Sequence, residues 1–488
     1  MLFNSYTFIF VFLPITLLLY FGLNKIKKYK LAKLTLVIAS LYFYAYFNVK
    51  YLFIIVISIG FNYLLNRLFG IFKNKNGRKI LLIIGLTFNI LLIFYYKYYD
   101  FVINTINDLA SVNFNLINVM LPLGISFFTF QQIAYVIDSY NENVKTYTLL
   151  DYSLFVTFFP QLIAGPITLY SEMIPQFEDE KNKKFDAKNF SKGLLAFSFG
   201  LAKKVLLADT FAIVSNYVFA NPTDTNSTNL LLGMLSYTFQ IYFDFSGYCD
   251  MALGLGYMFN IELPINFNSP YKSYSVVEFW KRWHITLTRF FTTYIYIPLG
   301  GNRKGKIRTY LNIFIVFLAS GIWHGANFTF ILWGILHGIA SILNKIFRNV
   351  IEKTNNVFNW ICTFLFINFT WIIFRSDSIL DALNIIKHLI KLNFEPISIN
   401  IVNAFAIPEF TMIAEVIGKK EWITENYNTV YLLVFFIFSF YAILCMKNTQ
   451  ERIKEFKPNV KNAMISAVLL VSSIISLSGV STFLYFNF

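Results

Sequence analysis

Leu311-Asn-Ile-Phe-Ile-Val-Phe-Leu-Ala-Ser-Gly-Ile-Trp-His324 is an apolar run near the length of a bilayer crossing, and it ends on a histidine. Working outward, the run lies within Asp244 to His337, the segment that holds the densest polar chemistry of an otherwise oily chain. Three of the four histidines fall there, His284, His324 and His337. An ionisable group at membrane depth is costly to keep and therefore marks a candidate site. A neutral imidazole at position 324 has the chemistry to take a proton from a hydroxyl as a general base. The same residue also reads as a histidine hydrogen-bonding between helices, and the local sequence leaves both readings open.

The rest of the chain explains why such a run is a membrane segment. Of 488 residues, 57% are hydrophobic and only 14% are charged, against about 25% charged in a soluble domain. Apolar runs recur near 6–24, 34–49, 51–70, 80–96, 119–138, 193–208, 229–246, 309–324, 328–344, 357–374, 429–446 and 462–485. The expected fold is an all-α polytopic membrane protein with about 11–13 transmembrane helices and re-entrant pieces. It forms one domain over residues 1–488, with its motif core at about 119–345. The stretch 150–167 contains Pro160, Gly165 and Pro166, so it reads as broken or re-entrant.

Basic loops near 25–33, 73–79, 270–308, 345–353 and 447–461 place those segments, with the charged loop 172–192, on the cytoplasmic side and both ends outside. The segment 375–428 is then extracytoplasmic. The net charge of +15 is spread over these loops, which argues for contact with anionic lipid and against nucleic acid. Cys249, Cys362 and Cys445 show neither metal nor disulfide spacing, so no metal site is expected. No internal repeat supports a transporter.

Other candidates carry two readings each. His284 closes Glu278-Phe-Trp-Lys-Arg-Trp-His284, where alternating aromatics and cations suit an interfacial helix or a phosphate-binding face. His337 lies thirteen residues after His324, off its helical face, and reads as a packing histidine; His388 needs no special role. Asp244 and Asp250 border apolar runs and either orient a histidine or pair a cation. Pro264, Asn266, Asn268 and Pro270 mark an irregular strip that lines a cavity or forms a loop. Gly321 and Gly325 permit close backbone approach, useful where a substrate must reach a side chain. There is no nucleophile elbow, paired-acid motif or zinc motif. A histidine without a covalent nucleophile suits acyl transfer to an activated hydroxyl.

Several motifs together resemble the membrane-bound O-acyltransferase family, and within it the bacterial alginate O-acetyltransferase branch. They are Leu123-Gly-Ile-Ser-Phe-Phe128, Phe159-Pro-Gln-Leu-Ile-Ala-Gly-Pro166, Asp244-Phe-Ser-Gly-Tyr248, Glu278 to His284, Tyr296-Ile-Pro-Leu-Gly-Gly-Asn-Arg303 and Gly321-Ile-Trp-His-Gly325. The resemblance implies a ring of helices around a thinned centre crossed by a tunnel. It implies His324 as the catalytic residue and His284 as a second family position on the cytoplasmic approach. It implies acetyl-CoA as donor, with no permanently bound cofactor. The acceptor is a hydroxyl on an extracytoplasmic SGNH-type acyltransferase or a surface glycan, and the location is the bacterial cytoplasmic membrane. On that reading Lys281, Arg282 and Arg303 are candidates for the CoA phosphates, with Trp283, Trp323, Asp244 and Asn268 as further substrate contacts. The alternatives are transfer of D-alanine or another acyl group, a transporter, or a scaffold for an external enzyme.

Overall fold

The computed structural model describes residues 1–142, 148–406, 416, 420–477 and 481–484. Among these the secondary structure is helical, with no strand. The first half contains α1 (Phe8–Lys25), α2 (Tyr29–Ala45), α3 (Lys50–Ile71), α4 (Lys75–Ala110), α5 (Ile125–Tyr140), α6 (Leu149–Thr157), α7 (Phe159–Leu162) and α8 (Tyr170–Glu178). Next come α9 (Ala187–Ala202), α10 (Asp209–Phe219), α11 (Ser227–Met258), α12 (Val276–Arg282) and α13 (Ile285–Phe291). The last part holds α14 (Gly305–His324), α15 (Phe328–Ile346), α16 (Arg348–Ile351), α17 (Asn356–Arg375), α18 (Ile379–Ile390), α19 (Ile399–Asn403), α20 (Lys420–Leu444), α21 (Thr449–Lys454) and α22 (Val460–Ile475).

Among the described residues each of the twelve apolar runs contains a helix. Among the described residues seven are long and apolar enough to cross a membrane by length and composition, in α1, α3, α4, α14, α15, α17 and α20. The others differ for physical reasons. α2, α5, α9 and α22 have 17, 16, 16 and 16 residues. α11 has 32 residues, so it is about 48 Å long. It is buried almost throughout and carries Thr238, Gln240, Asp244, Ser246 and Asp250 into the interior. It is the central post of the molecule, and lipid-facing apolar side chains such as Leu18, Phe53 and Ile437 belong to outer helices.

Two expected boundaries move. The run at 80–96 does not end there, because a π-helical turn at Phe94–Tyr98 carries the helix on to Ala110. A second π turn, Lys203–Ala208, joins α9 to α10, so the run at 193–208 lies inside a longer helix. Such turns keep the backbone bonded while shifting the side-chain register. Of the outer segment 375–428, α18 and α19 are described, while 407–415 and 417–419 lie outside the described residues. So does part of the last run, at 478–480 and 485.

α9 crosses α11 through two pairs of glycines, each spaced seven residues along its helix. A Cβ on Gly193 would lie 2.4 Å from the Gly254 carbonyl oxygen, and one on Gly200 2.5 Å from that of Gly247. Small residues at such crossings let helices approach where no hydrophobic effect drives them together. The lysines of the π turn are buried beside this crossing. Lys204 pairs with Asp244 at 2.7 Å and Asp209 at 2.8 Å, and Lys203 with Asp250 at 2.6 Å.

The stretch 150–167 is broken, as its prolines require. α6 stops at Phe158, α7 is a single turn, and the chain then runs irregularly to Tyr170 in the interior. Its polar groups are satisfied by protein. Gln161 donates to the Phe155 carbonyl at 2.7 Å, Thr168 donates to Gln161 at 2.7 Å, and the Ile167 N–H donates to Thr286 Oγ1 at 3.0 Å. Gly124, at φ +70°, presses on this stretch, where a Cβ would lie 2.9 Å from the Ile163 Cα.

Gly200→Val forces the α9–α11 crossing apart. It should lower the thermal midpoint in detergent by several degrees or abolish the monodisperse peak, an overpacking cost of about 1–3 kcal/mol or more. Gly60→Ala, where nothing lies within 4 Å, should leave the midpoint unchanged or raised. Fluorescence-detected size exclusion over a temperature series reads both.

Candidate active site

His324 is the last residue of α14, and the chain leaves it in an extended conformation at Gly325. A helix end leaves its final carbonyls without partners. Here α4 supplies them. The Lys97 ammonium donates to the Trp323 carbonyl at 2.6 Å and to the His324 carbonyl at 3.1 Å, and the Tyr98 hydroxyl donates to the Ile322 carbonyl at 2.7 Å. A cation at a helix C-terminus also opposes the negative end of the helix dipole. Both donors come from the π turn of α4, which sets Lys97 and Tyr98 side by side on α14. Lys97 lies 5.7 Å from the Trp323 ring centre as well.

The imidazole of His324 is buried in an aromatic cage. Trp323, Trp333 and Phe374 stand 5.0, 5.1 and 5.2 Å away between ring centres, the last two nearly edge-on. His324 also lines a small cavity with Lys97, Ser126, Phe127, Trp323 and the backbone of Leu121 to Ile125. Its volume is about 20 Å³, room for about one water molecule. Leu123-Gly-Ile-Ser126 thus forms a wall of the cavity, held in place by the close fit of Gly124 to Ile163.

His284 sits at the corner between α12 and α13, in a left-handed conformation at φ 46°. A bulky residue is rarely found there, and such positions concentrate at functional sites. Its Nδ1 lies 3.1 Å from Asn266 Oδ1, which also accepts the Thr286 N–H at 3.2 Å and the Thr286 hydroxyl at 3.0 Å. An oxygen that receives a backbone N–H is fixed as the acceptor. The hydrogen of neutral His284 therefore sits on Nδ1 and the lone pair on Nε2. The Trp323 ring lies between the two histidines, 5.9 Å from His284 and 5.0 Å from His324. The irregular strip of Asn266 thus supports the site from behind.

The remaining candidates separate. His337 accepts the Trp280 indole N–H at 3.1 Å on Nδ1 and has Nε2 3.0 Å from Thr370 Oγ1, so it ties α12, α15 and α17 together. Asp244 pairs with Lys204 and accepts the Leu484 N–H at 2.9 Å, so it fills the cation-pairing reading and orients no histidine. Trp283 is a core wall, with Phe279, Phe267 and Trp371 at 5.4, 5.0 and 5.2 Å. Asn268 and Arg282 bond each other through their backbones, and the Arg282 guanidinium is taken by Glu278 at 2.8 Å. Lys281 and Arg303 are exposed. Gly321 does permit close approach, but to a helix: a Cβ there would lie 2.4 Å from the Phe330 carbonyl oxygen of α15. The residue that sequence reasoning missed is Lys97. A lone cation inside Phe94-Tyr-Tyr-Lys-Tyr98 was the available signal.

A buried imidazole beside a water-sized cavity, on a helix end clamped by a neighbouring helix, is suited to moving the proton of a single hydroxyl. Comparison with known proteins identifies the family. The membrane-bound O-acyltransferase family pattern matches residues 5–380. The chain is 41% identical to a peptidoglycan O-acetyltransferase of Helicobacter pylori, over 100% of this chain and 98% of that protein. It is 39% identical to a probable alginate O-acetylase of Pseudomonas aeruginosa, over 78% of this chain and 73% of that protein. A teichoic acid D-alanyltransferase of Bacillus subtilis is 28% identical over 50% of this chain and 63% of that protein. The chain is an O-acyltransferase, a multi-pass membrane protein that belongs to the membrane-bound O-acyltransferase family.

Proposed function

We propose that this protein moves an acetyl group from cytoplasmic acetyl-CoA to a hydroxyl of an extracytoplasmic cell-wall glycan, directly or through an SGNH-type partner, in a bacterial cytoplasmic membrane. The observation that carries the reading is His324 facing a cavity of hydroxyl size at a fixed helix end. His324 takes the proton of the acceptor hydroxyl. The oxygen attacks the thioester carbonyl carbon, the carbon–sulfur bond breaks, and the thiolate takes the proton back from the imidazolium. The products are an O-acetyl ester and CoA. His284, with its proton held on Nδ1 by Asn266, serves the donor side of Trp323. Lys97 is a positioning residue, since it holds the backbone that aims His324.

Peptidoglycan is the favoured acceptor, because the relative of that name matches this chain over its whole length whereas the probable alginate acetylases match 78% of it. D-alanine as the acyl group has weaker support, at 28% identity over half the chain.

His324→Ala at normal membrane abundance should remove alkali-releasable acetate from isolated peptidoglycan, to the level of cells lacking the protein. Acetate retained at the wild-type level in that variant would rule out His324 as the base. Lys97→Met removes both carbonyl contacts and should lower kcat about 10- to 100-fold. The KM for acetyl-CoA should change little, and Lys97→Arg should restore part of the rate; a KM effect alone would place Lys97 in donor binding instead. Lys281→Gln with Arg303→Gln should raise the KM for acetyl-CoA about 30-fold, each lost phosphate contact being worth about 1 kcal/mol. Arg282→Gln should chiefly reduce protein abundance, because its guanidinium braces the strip at Asn268. Radiolabelled acetyl-CoA supplied to membranes reads these rates.

A further inference from the structure

A deep groove on the lipid-facing side, remote from the histidines, runs between α1 and α22. α1 and α22 stand on either side of α9, with Leu17 and Leu18 on one wall and Leu470 and Ile474 on the other. The floor is Leu194 and Phe197 of α9 with Met258 of α11, and the last two are buried. From Phe10 to Lys25 the groove follows α1 for about 22 Å. Its volume is about 1050 Å³ and its lining is mostly apolar. That length matches most of the hydrocarbon core of a bilayer.

One end is different. Lys25 ends α1 and Lys27 follows it, and Lys183 and Lys184 come from the loop after α8. The two segments are tied together: the Lys183 ammonium lies 4.3 Å from the centre of the Tyr29 ring, and Phe21 packs on Phe185 at 5.5 Å. Glu180 is the one acid on the groove, against these four lysines. Asn24, buried at the same end, is bonded to the side chain of Tyr20. Basic residues beside a span place this end at the cytoplasmic surface. An apolar trough ending in four cations matches one chemistry, a long acyl chain joined to an anionic phosphate headgroup.

We propose that this groove is a binding site for an anionic phospholipid of the cytoplasmic leaflet. An acyl chain lies between α1 and α22 on Leu194 and Phe197, and the phosphate is held by Lys25, Lys27, Lys183 and Lys184. The bound lipid fills the gap between two helices that both lean on α9, and so braces the α9–α11 crossing from outside.

The test uses the full chain in dodecyl maltoside micelles, with phosphatidylglycerol, phosphatidylcholine or inorganic phosphate added. Native mass spectrometry reads bound lipid and the thermal midpoint reads stabilisation. Phosphatidylglycerol should bind and raise the midpoint, and phosphatidylcholine and inorganic phosphate should not. The fourfold variant Lys25→Gln, Lys27→Gln, Lys183→Gln, Lys184→Gln should lose at least about tenfold in occupancy, since it removes every cation that lines the groove. Leu194→Trp, which fills the trough and leaves every charge in place, should lose it too; this variant carries the test if the fourfold one does not fold. Lys73→Gln, Lys75→Gln, Lys79→Gln, on a different basic loop, should retain binding. Equal binding of phosphatidylcholine, equal loss in the control variant, full binding by Leu194→Trp, or a midpoint shift reproduced by inorganic phosphate would each overturn the proposal.

Discussion

A helix that ends inside a membrane protein leaves its last carbonyl groups without partners in the helix, and α14 ends on the candidate base His324. The chain meets this with donors from another helix. Lys97 and Tyr98 close the carbonyls of Ile322, Trp323 and His324. Leaving a buried acceptor unsatisfied costs about 1–3 kcal/mol each. One lysine thus stabilises the end of α14, fixes the direction of His324 and lines its cavity. The π turn in α4 is the local device that makes this possible.

The same constraint shapes the walls around the site. Irregular backbone occurs at Leu121–Gly124 and from Ile163 to Leu169, and in both places protein atoms supply partners, Tyr44 to the Leu123 carbonyl and Thr286 to the Ile167 N–H. Glycine makes the close contacts. Gly124 meets Ile163, Gly321 meets Phe330, and the glycines of α9 meet those of α11. Packing of this kind tolerates no added methyl group, so the site rests on a rigid frame rather than on a mobile loop.

Three buried histidines have become different by their surroundings. His337 has both ring nitrogens engaged by Trp280 and Thr370 and serves as a joint. His284 is oriented through Nδ1 by Asn266. His324 lies against aromatic rings and a cavity. The acids went elsewhere: Asp244 and Asp250 neutralise Lys204 and Lys203, where an unpaired buried charge would be strongly destabilising.

The sequence by itself determined the class of fold, because only helices satisfy their own backbone in lipid and twelve apolar runs leave no other choice. It also marked the break at Pro160 and Pro166 and the histidine at the end of an apolar run, since prolines and buried ionisable groups are local signals. Local signals end at partners. That Lys97 serves α14, that Asn266 fixes the His284 tautomer, and that Gly321 faces α15 are contacts between residues 9 to 227 positions apart. Only tertiary structure decided these, because which donor reaches an orphaned carbonyl depends on how helices cross, and nothing in either segment records its partner.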